Sequence, residues 1–383
     1  MLETTLVEIL MRTEERCDLG KLVTFKPNKR LPIYNWVHFK EAFSSNFVTL
    51  MLTQLDIHEG NWVLDPFCGV GTTLLVAKER GINAVGIDAH PFFAFVSQVK
   101  TSSYSLEALL ELKRDFFSKK FEKPDLKGIN PLLRKAFSRY ALEDILFFKS
   151  EINKVKDKII RDFLVLALVV SAMRVSYAFK DGAVIRFFKR KHPPLRKVFK
   201  ATVRKFIRHL KMAEFKPCEI VVKQGDARKL GFLKTKSLDA VVTSPPYLNK
   251  LEYTKAFDIE EALLKELIGI DSAKAYLGAD FGRGKIVFPK LGLPSIAEAY
   301  FSDMELYLRE MYRVLRDGGK AVLVVGQGVF SDRIVESDVL IAKLGESVGF
   351  NMEKRLVVNK RVATRERTVK IGVALESVLL LAK

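Results

Sequence analysis

The chain has 383 residues, 48% of them hydrophobic and 28% charged, which excludes an intrinsically disordered protein and leaves room for one large core or two domains. Lys and Arg number 64 against 45 Asp and Glu, a net charge of +19. That excess is silent about fold but points to a polyanionic partner such as nucleic acid, with a merely Lys-rich surface as the bland alternative.

The opening MLETTLVEIL carries Glu3 and Glu8 and no basic region, so it does not read as a secretory signal. Aromatics and a helical pattern follow over Tyr34–Leu55. NWVLDPF (Asn61–Phe67) then predicts a short buried strand breaking into a turn. GVGTTLLVAKERG predicts a Gly-rich turn feeding a helix that stops at Gly81. NAVGID (Asn83–Asp88) predicts a second strand, so the whole is a βαβ unit whose second strand ends in an acid.

From about Ser105 to Lys216 the periodicity is mostly helical, and strand signals nearly vanish. The apolar run Phe163–Met173 falls well short of the ~20 residues a membrane helix needs and predicts a buried core helix. Strands return in EIVVKQGD (219–226), LDAVVTS (238–244) and KAVLVVG (320–326). A helix over Tyr300–Leu315 and a turn at Arg316–Gly319 precede the last of these, and a strand pair closes the chain. The expected organisation is an α/β sheet domain interrupted by helices: 1–104, a helical insertion 105–216, and 217–383.

Charge is concentrated in that insertion. Between Lys180 and Lys216 stand thirteen Lys or Arg and only two acids, Asp181 and Glu214, more than half the net charge of the chain. Arg186, Lys189, Arg190, Lys191, Arg196, Lys197, Lys200, Arg204, Lys205 and Arg208 are the candidate phosphate contacts, interleaved with Phe187, Phe188, Phe199 and Phe206. Phe199 and Phe206, seven apart, are expected to face the core.

Two motifs carry chemistry. DPFCGVGTT (Asp65–Thr73) lies between the first strand and its helix, where Gly69 and Gly71 allow close backbone approach. Position 74 is Leu, which argues against a nicotinamide fingerprint, and no Gly-Lys-Ser/Thr follows for a phosphate loop. Asp65 suits an amine-bearing ligand, Asp88 a ribose and Asp226 (in QGDAR) an adenine amine. Acids at three neighbouring strand ends point to S-adenosylmethionine as the cofactor. TSPPY (Thr243–Tyr247) follows an apolar strand; its two prolines hold the chain extended and leave carbonyls and the Ser244 hydroxyl as acceptors beside a Tyr ring.

Together the two motifs resemble the S-adenosylmethionine-dependent amino-methyltransferases that act on exocyclic base amines, and SPPY is similar to their N4-cytosine group. The segment Tyr34–Phe47 resembles the aromatic cofactor segment that precedes the first motif, and RDGGKAVLVVG the fifth-strand region. The resemblance implies a class I methyltransferase (Rossmann-like) seven-stranded sheet with its last strand antiparallel. It assigns Tyr34, Asp65, Phe67, Gly69, Gly71, Thr72, Thr73 and Asp88, with Asp226 on a shorter motif, to the cofactor. It assigns Ser244, Pro245, Pro246 and Tyr247 to catalysis.

Cys17, Cys68 and Cys218 are too few and scattered for a disulfide framework or a zinc site, so no metal is expected, and a cytoplasmic location is. Carbon-5 attack through Cys218 is disfavoured, because Pro217–Cys218 lies at the start of its strand, and Cys68 is expected to pack. His38 and His90 are candidates to line the cofactor site; His58, His192 and His209 are expected at the surface. Met304, Tyr307 and Met311 are expected in the core. The helix-rich basic insertion suits a structured target, so RNA, ribosomal RNA included, is favoured over DNA. DNA cytosine-N4 or adenine-N6 methylation is the alternative, with protein glutamine methylation and a non-catalytic binding scaffold behind it.

Overall fold

The computed structural model describes residues 9, 11–181, 184–249, 255–270, 286–365 and 369–383. Of the opening decapeptide only Ile9 falls within them. In chain order the strands are β1 (Thr13–Glu15), β2 (Trp62–Asp65), β3 (Asn83–Asp88), β4 (Ala178–Asp181), β5 (Val184–Phe187), β6 (Ile220–Gln224), β7 (Leu238–Thr243), β8 (Leu315–Gly326), β9 (Gly328–Val329), β10 (Ile334–Val335), β11 (Asn351–Arg365) and β12 (Val369–Ala382).

Eight strands form one sheet in the order β1-β11-β12-β8-β7-β2-β3-β6. Neighbours from β6 to β8 run parallel, and β12 is antiparallel to both β8 and β11. This is the strand arrangement that the resemblance implies, with its antiparallel last strand. The expected seven strands become eight because β1 adds an edge strand parallel to β11. The order reverses between β2 and β7, which places the topological switch point at the ends of the two motif-bearing strands.

Period-two alternation builds a core on each face. Val63, Ala240, Val242, Val322 and Val324 join one buried cluster, while Leu64, Val241, Ala321, Leu323 and Val325 join the other. Met304, Tyr307 and Met311 of helix Ser295–Val314 are fully buried in the second. The expected turn at Arg316–Gly319 is instead a kink inside β8, which begins at Leu315; Gly318 supplies a φ of 74° there.

Helices Leu106–Phe116, Pro131–Ala136, Arg139–Asn153, Lys158–Val175 and Leu195–Met212 occupy most of 105–216. The β4–β5 hairpin interrupts them, a strand pair the helical reading missed. Its strands are four residues each, too short to carry a legible alternation. Phe163–Val169 are buried, as expected of a core helix. Phe199 and Phe206 are buried too, and Phe206 stacks on Trp36 at 3.9 Å. His209, expected at the surface, is buried instead. Its Nδ1 accepts the Ile33 backbone N–H (3.0 Å) and the Trp36 indole N–H (3.2 Å), so it fastens the basic helix to the N-terminal segment. Burial and the neighbouring Lys205 and Arg208 depress it to about 4, which keeps it neutral.

Candidate active site

A cleft of about 1330 Å³ opens at the strand ends around the switch point. Asp65, Phe67, Gly69, Thr72, Asp88, Asp226 and the run Ser244–Tyr247 all line it. Residues far apart in sequence meet there because parallel strands end on one side of the sheet.

Asp65 ends β2 and is fully enclosed. Its carboxylate accepts Thr243 Oγ1 (2.6 Å), Thr73 Oγ1 (2.7 Å) and the Phe67 N–H (3.3 Å). It therefore ties β7 across the switch point to the helix Thr72–Arg80. Burial lifts it to about 6, against the pull of those three donors. Asp88 ends β3 and is half-buried; it accepts the Gly69 N–H (2.9 Å) and the His90 N–H (2.8 Å). Burial raises it to about 7 despite these bonds. Gly69 has φ 50°, and a Cβ there would lie 3.0 Å from the Phe39 ring, so the loop needs glycine for both reasons. Gly71, in the left-handed region, starts the helix Thr72–Arg80, and Gly81 ends it as expected.

Three expected cofactor residues do not line the cleft. The Tyr34 ring is buried, and its hydroxyl donates to Glu79 at 2.8 Å rather than facing the opening. Its backbone carbonyl and that of Val70 accept the buried Lys100 ammonium (3.1 and 3.0 Å), which links this segment to the glycine loop. Gly71 and Thr73 lie beneath the lining, Thr73 holding Asp65. Asp226 lines the cleft with both oxygens on Arg228, which also bonds Asp303 at 2.6 Å. Burial pulls Asp226 upward, but the Arg228 bonds and charge leave it below the usual carboxylate range.

At the end of β7, Ser244 Oγ donates to the Val324 carbonyl at 3.0 Å. The Tyr300 hydroxyl donates to the Pro246 carbonyl at 2.8 Å, and among the described residues none donates to the Pro245 carbonyl. Tyr247 donates to Glu376 Oε1 at 2.6 Å, while Asn359 Nδ2 donates to the other Glu376 oxygen, also at 2.6 Å. The Tyr247 ring lies close against Gly326, where a Cβ would be 2.5 Å from the ring. Sequence reasoning missed these supports. Glu376 gave a signal, a lone acid in an apolar terminal strand; the Val324 carbonyl gave none.

The cleft's far wall is aromatic. Phe39, Phe92, Phe93 and Phe257 pack together there, with Phe39–Phe93 centroids 4.5 Å apart. His38 and His90 line it as expected. Cys68 is buried against Ser97 and Gly86, a packing position, and Cys218 precedes β6 away from the strand ends. Among the described residues no group of three His, Cys, Asp or Glu is placed to hold a metal, and no helix is long and apolar enough to cross a membrane.

The basic segment reaches this cleft through Lys180 of the hairpin, beside Arg174, Ser176 and Ala178, which also line it. Lys197, Arg204, Arg208 and Lys211 are exposed along one face of helix Leu195–Met212, and Arg186, Lys189, Arg190 and Lys191 are exposed ahead of it. Lys200 and Lys205 are half-buried on the same helix. Arg196 is turned elsewhere: it bonds Asp144 at 3.2 Å and lies over Phe147.

Residues 29–98 match a family model described as "DNA methylase" of the N6/N4 type. The chain is similar to the Type II methyltransferase M.BsoBI of Geobacillus stearothermophilus, at 25% identity over 89% of this chain and 83% of that protein. It is similar to the Type II methyltransferase M.AvaI of Nostoc sp. at 24% identity, over 88% of this chain and 83% of that one. Over 81 residues it is 35% identical to the Type II methyltransferase M.MjaII of Methanocaldococcus jannaschii, covering 21% of this chain and 15% of the other.

Proposed function

We propose that this chain is an S-adenosylmethionine-dependent amino-methyltransferase of the N6/N4 type that methylates the exocyclic N4 amine of cytosine in DNA. The observation that carries the reading is the Ser244 bond to Val324. A hydroxyl has one proton; with that proton committed to a backbone carbonyl, the lone pairs of Oγ can only accept. Ser244 Oγ and the Pro245 carbonyl then take the two N–H bonds of an incoming amine. That draws the nitrogen lone pair out of conjugation with the ring and aims it along the cleft. Tyr247, fixed by Glu376 and Gly326, stacks on the base. The methylated amine sheds its extra proton readily, so no strong base is required.

The residues present fit the cofactor. Gly69 leaves open a position that a Cβ would fill against Phe39, and half-buried Asp88 keeps lone pairs toward the cleft for a ribose. Bound there, S-adenosylmethionine supplies an electrophilic methyl group. Phe67, Gly69, Thr72 and Asp88 form its cradle; Asp65 lines the cleft but spends its oxygens on Thr243, Thr73 and Phe67, and Tyr34, Gly71 and Thr73 act from behind by holding the loop. Asp226 offers an adenine amine only the lone pairs Arg228 leaves.

The basic insertion by itself favoured RNA. Its cations suit either polymer, since phosphate is common to both. The "DNA methylase" description and the likeness to Type II methyltransferases over 88–89% of this chain support DNA instead. Lys189, Arg190, Lys191, Lys197, Lys200, Arg204, Lys205 and Arg208 are proposed to meet its backbone.

The test is nucleoside mass spectrometry of DNA and of RNA after incubation with methyl-labelled cofactor. The expected product is N4-methylcytosine in DNA. Label in adenine N6 overturns the base assignment, and label confined to RNA overturns the polymer.

A further inference from the structure

The β4–β5 hairpin stands at the edge of the cleft with two unlike faces. Ala178, Lys180, Ile185 and Phe187 alternate inward, while Phe179, Val184 and Arg186 alternate outward. The inward face is anchored. Lys180 bonds Glu260 at 2.5 Å and lies 4.2 Å from the Phe257 ring centroid, and Lys135 lies over Phe187 at 4.7 Å. Ala178 and Lys180 line the same cleft as Ser244.

Among the described residues, the outward face carries only the Arg186–Asp181 pair (3.7 Å) and the contact between its two phenylalanine rings. Phe179 is 58% exposed and Phe188, just past β5, is 56% exposed; their rings sit 6.4 Å apart, edge to face. Arg186 pairs directly across from Phe179 in the ladder. Two half-exposed phenylalanines on a firmly docked hairpin are not core packing, and water disfavours them. The chain beside them is cationic: Arg186 lies between them, Lys189, Arg190 and Lys191 follow directly, and the acid in this stretch, Asp181, pairs with Arg186. Aromatic rings amid cations suit a ligand with π-faces and phosphates.

A base within a duplex must leave the stack before its amine can reach Ser244, and the step it leaves must be filled or it recloses. We propose that the outward face of this hairpin, Phe179 and Phe188 with Arg186, stacks on the base step vacated by the flipped target and holds the duplex open beside the cleft. This rests on the DNA reading above. It names a role the phosphate contacts do not supply, because cations on the backbone do not discriminate a stacked base from a flipped one.

The experiment compares wild type with the double variant Phe179→Ala/Phe188→Ala and the conservative Phe179→Trp, on duplexes carrying the methylated site mapped from wild-type product. One duplex is fully paired; the other carries a mismatch opposite the target base, which is then already loosened. The double variant should lose on the order of tenfold in single-turnover methylation of the paired duplex and recover to within about threefold of wild type on the mismatch. Phe179→Trp should stay near wild type on both. With 2-aminopurine at the target position, the fluorescence rise on binding should shrink in the double variant. Equal losses on both duplexes, or no loss on the paired one, overturn the stacking role alone. A wild type active on RNA and inactive on every duplex overturns the DNA reading, and this role with it.

Discussion

The strand-end acids and the insertion cations use charge in opposite ways. Asp65 is enclosed and Asp88 half-buried at the cleft; both accept bonds from the glycine loop or its helix and are lifted by burial, to about 6 and about 7. Lys197, Arg204 and Arg208 are exposed and spread along one helix face. In the first region the proposed role depends on geometry: each oxygen has a named donor, and a small displacement misplaces the loop it holds. In the second it depends on field, where any one cation is replaceable but the sum is not. Single substitutions should therefore be severe at the strand ends and graded on the helix.

The largest expected effect tests the geometric side. Ser244→Ala removes the acceptor and should lower single-turnover methyl transfer by roughly 10²–10³-fold. Cofactor affinity should stay within about twofold; an unchanged rate would remove Ser244 from the mechanism. Asp88→Ala should weaken cofactor binding by about ten- to a hundredfold by calorimetry, since a charge-assisted hydrogen-bond pair is lost. Equal affinity would refute the ribose contact.

Asp88 also gives a pH signature. Burial raises it from 3.8 in the unfolded chain to about 7 in the fold, so the folded state without cofactor holds a proton that the unfolded state releases. That contribution is complete below about pH 4 and is lost as pH rises through about 7. Thermal melts of the cofactor-free protein should show this decline. Asp88→Asn should flatten the part that Asp88 contributes, while the similarly raised Asp65 continues to add its own share up to about pH 6.

The smallest effects separate cations from one another. Lys197→Glu, Arg204→Glu and Arg208→Glu should each reduce the slope of log affinity against log salt by about 0.9. Arg196→Gln should leave that slope unchanged and instead lower stability, because Arg196 is spent on Asp144. If Arg196 behaves like its neighbours, the division between the two regions fails at that residue.

Much of the site was legible in the sequence because its signals are local. DPFCGVGTT and TSPPY each sit within a few residues of a strand end, and a parallel sheet brings such ends together without further information. Tyr34 marks the limit: an aromatic before the glycine loop reads as a ligand contact, yet Glu79, on the helix behind that loop, claims its hydroxyl. His209 shows the same limit, since the two N–H donors to its Nδ1 come from Ile33 and Trp36, far away in the chain.

The sequence by itself determined the sheet, the two motifs, the acids at the strand ends and the basic segment, because alternation, glycine and proline chemistry and net charge are properties of short windows. Only the tertiary structure decided which groups face the cleft. It gave the Ser244 proton to Val324, set Arg228 on Asp226, turned Arg196 away from the basic face and left Phe179 and Phe188 uncovered beside the opening. The physical reason is that a side chain's role depends on which donors and acceptors remain unpaired once distant elements pack, and no local window contains those partners.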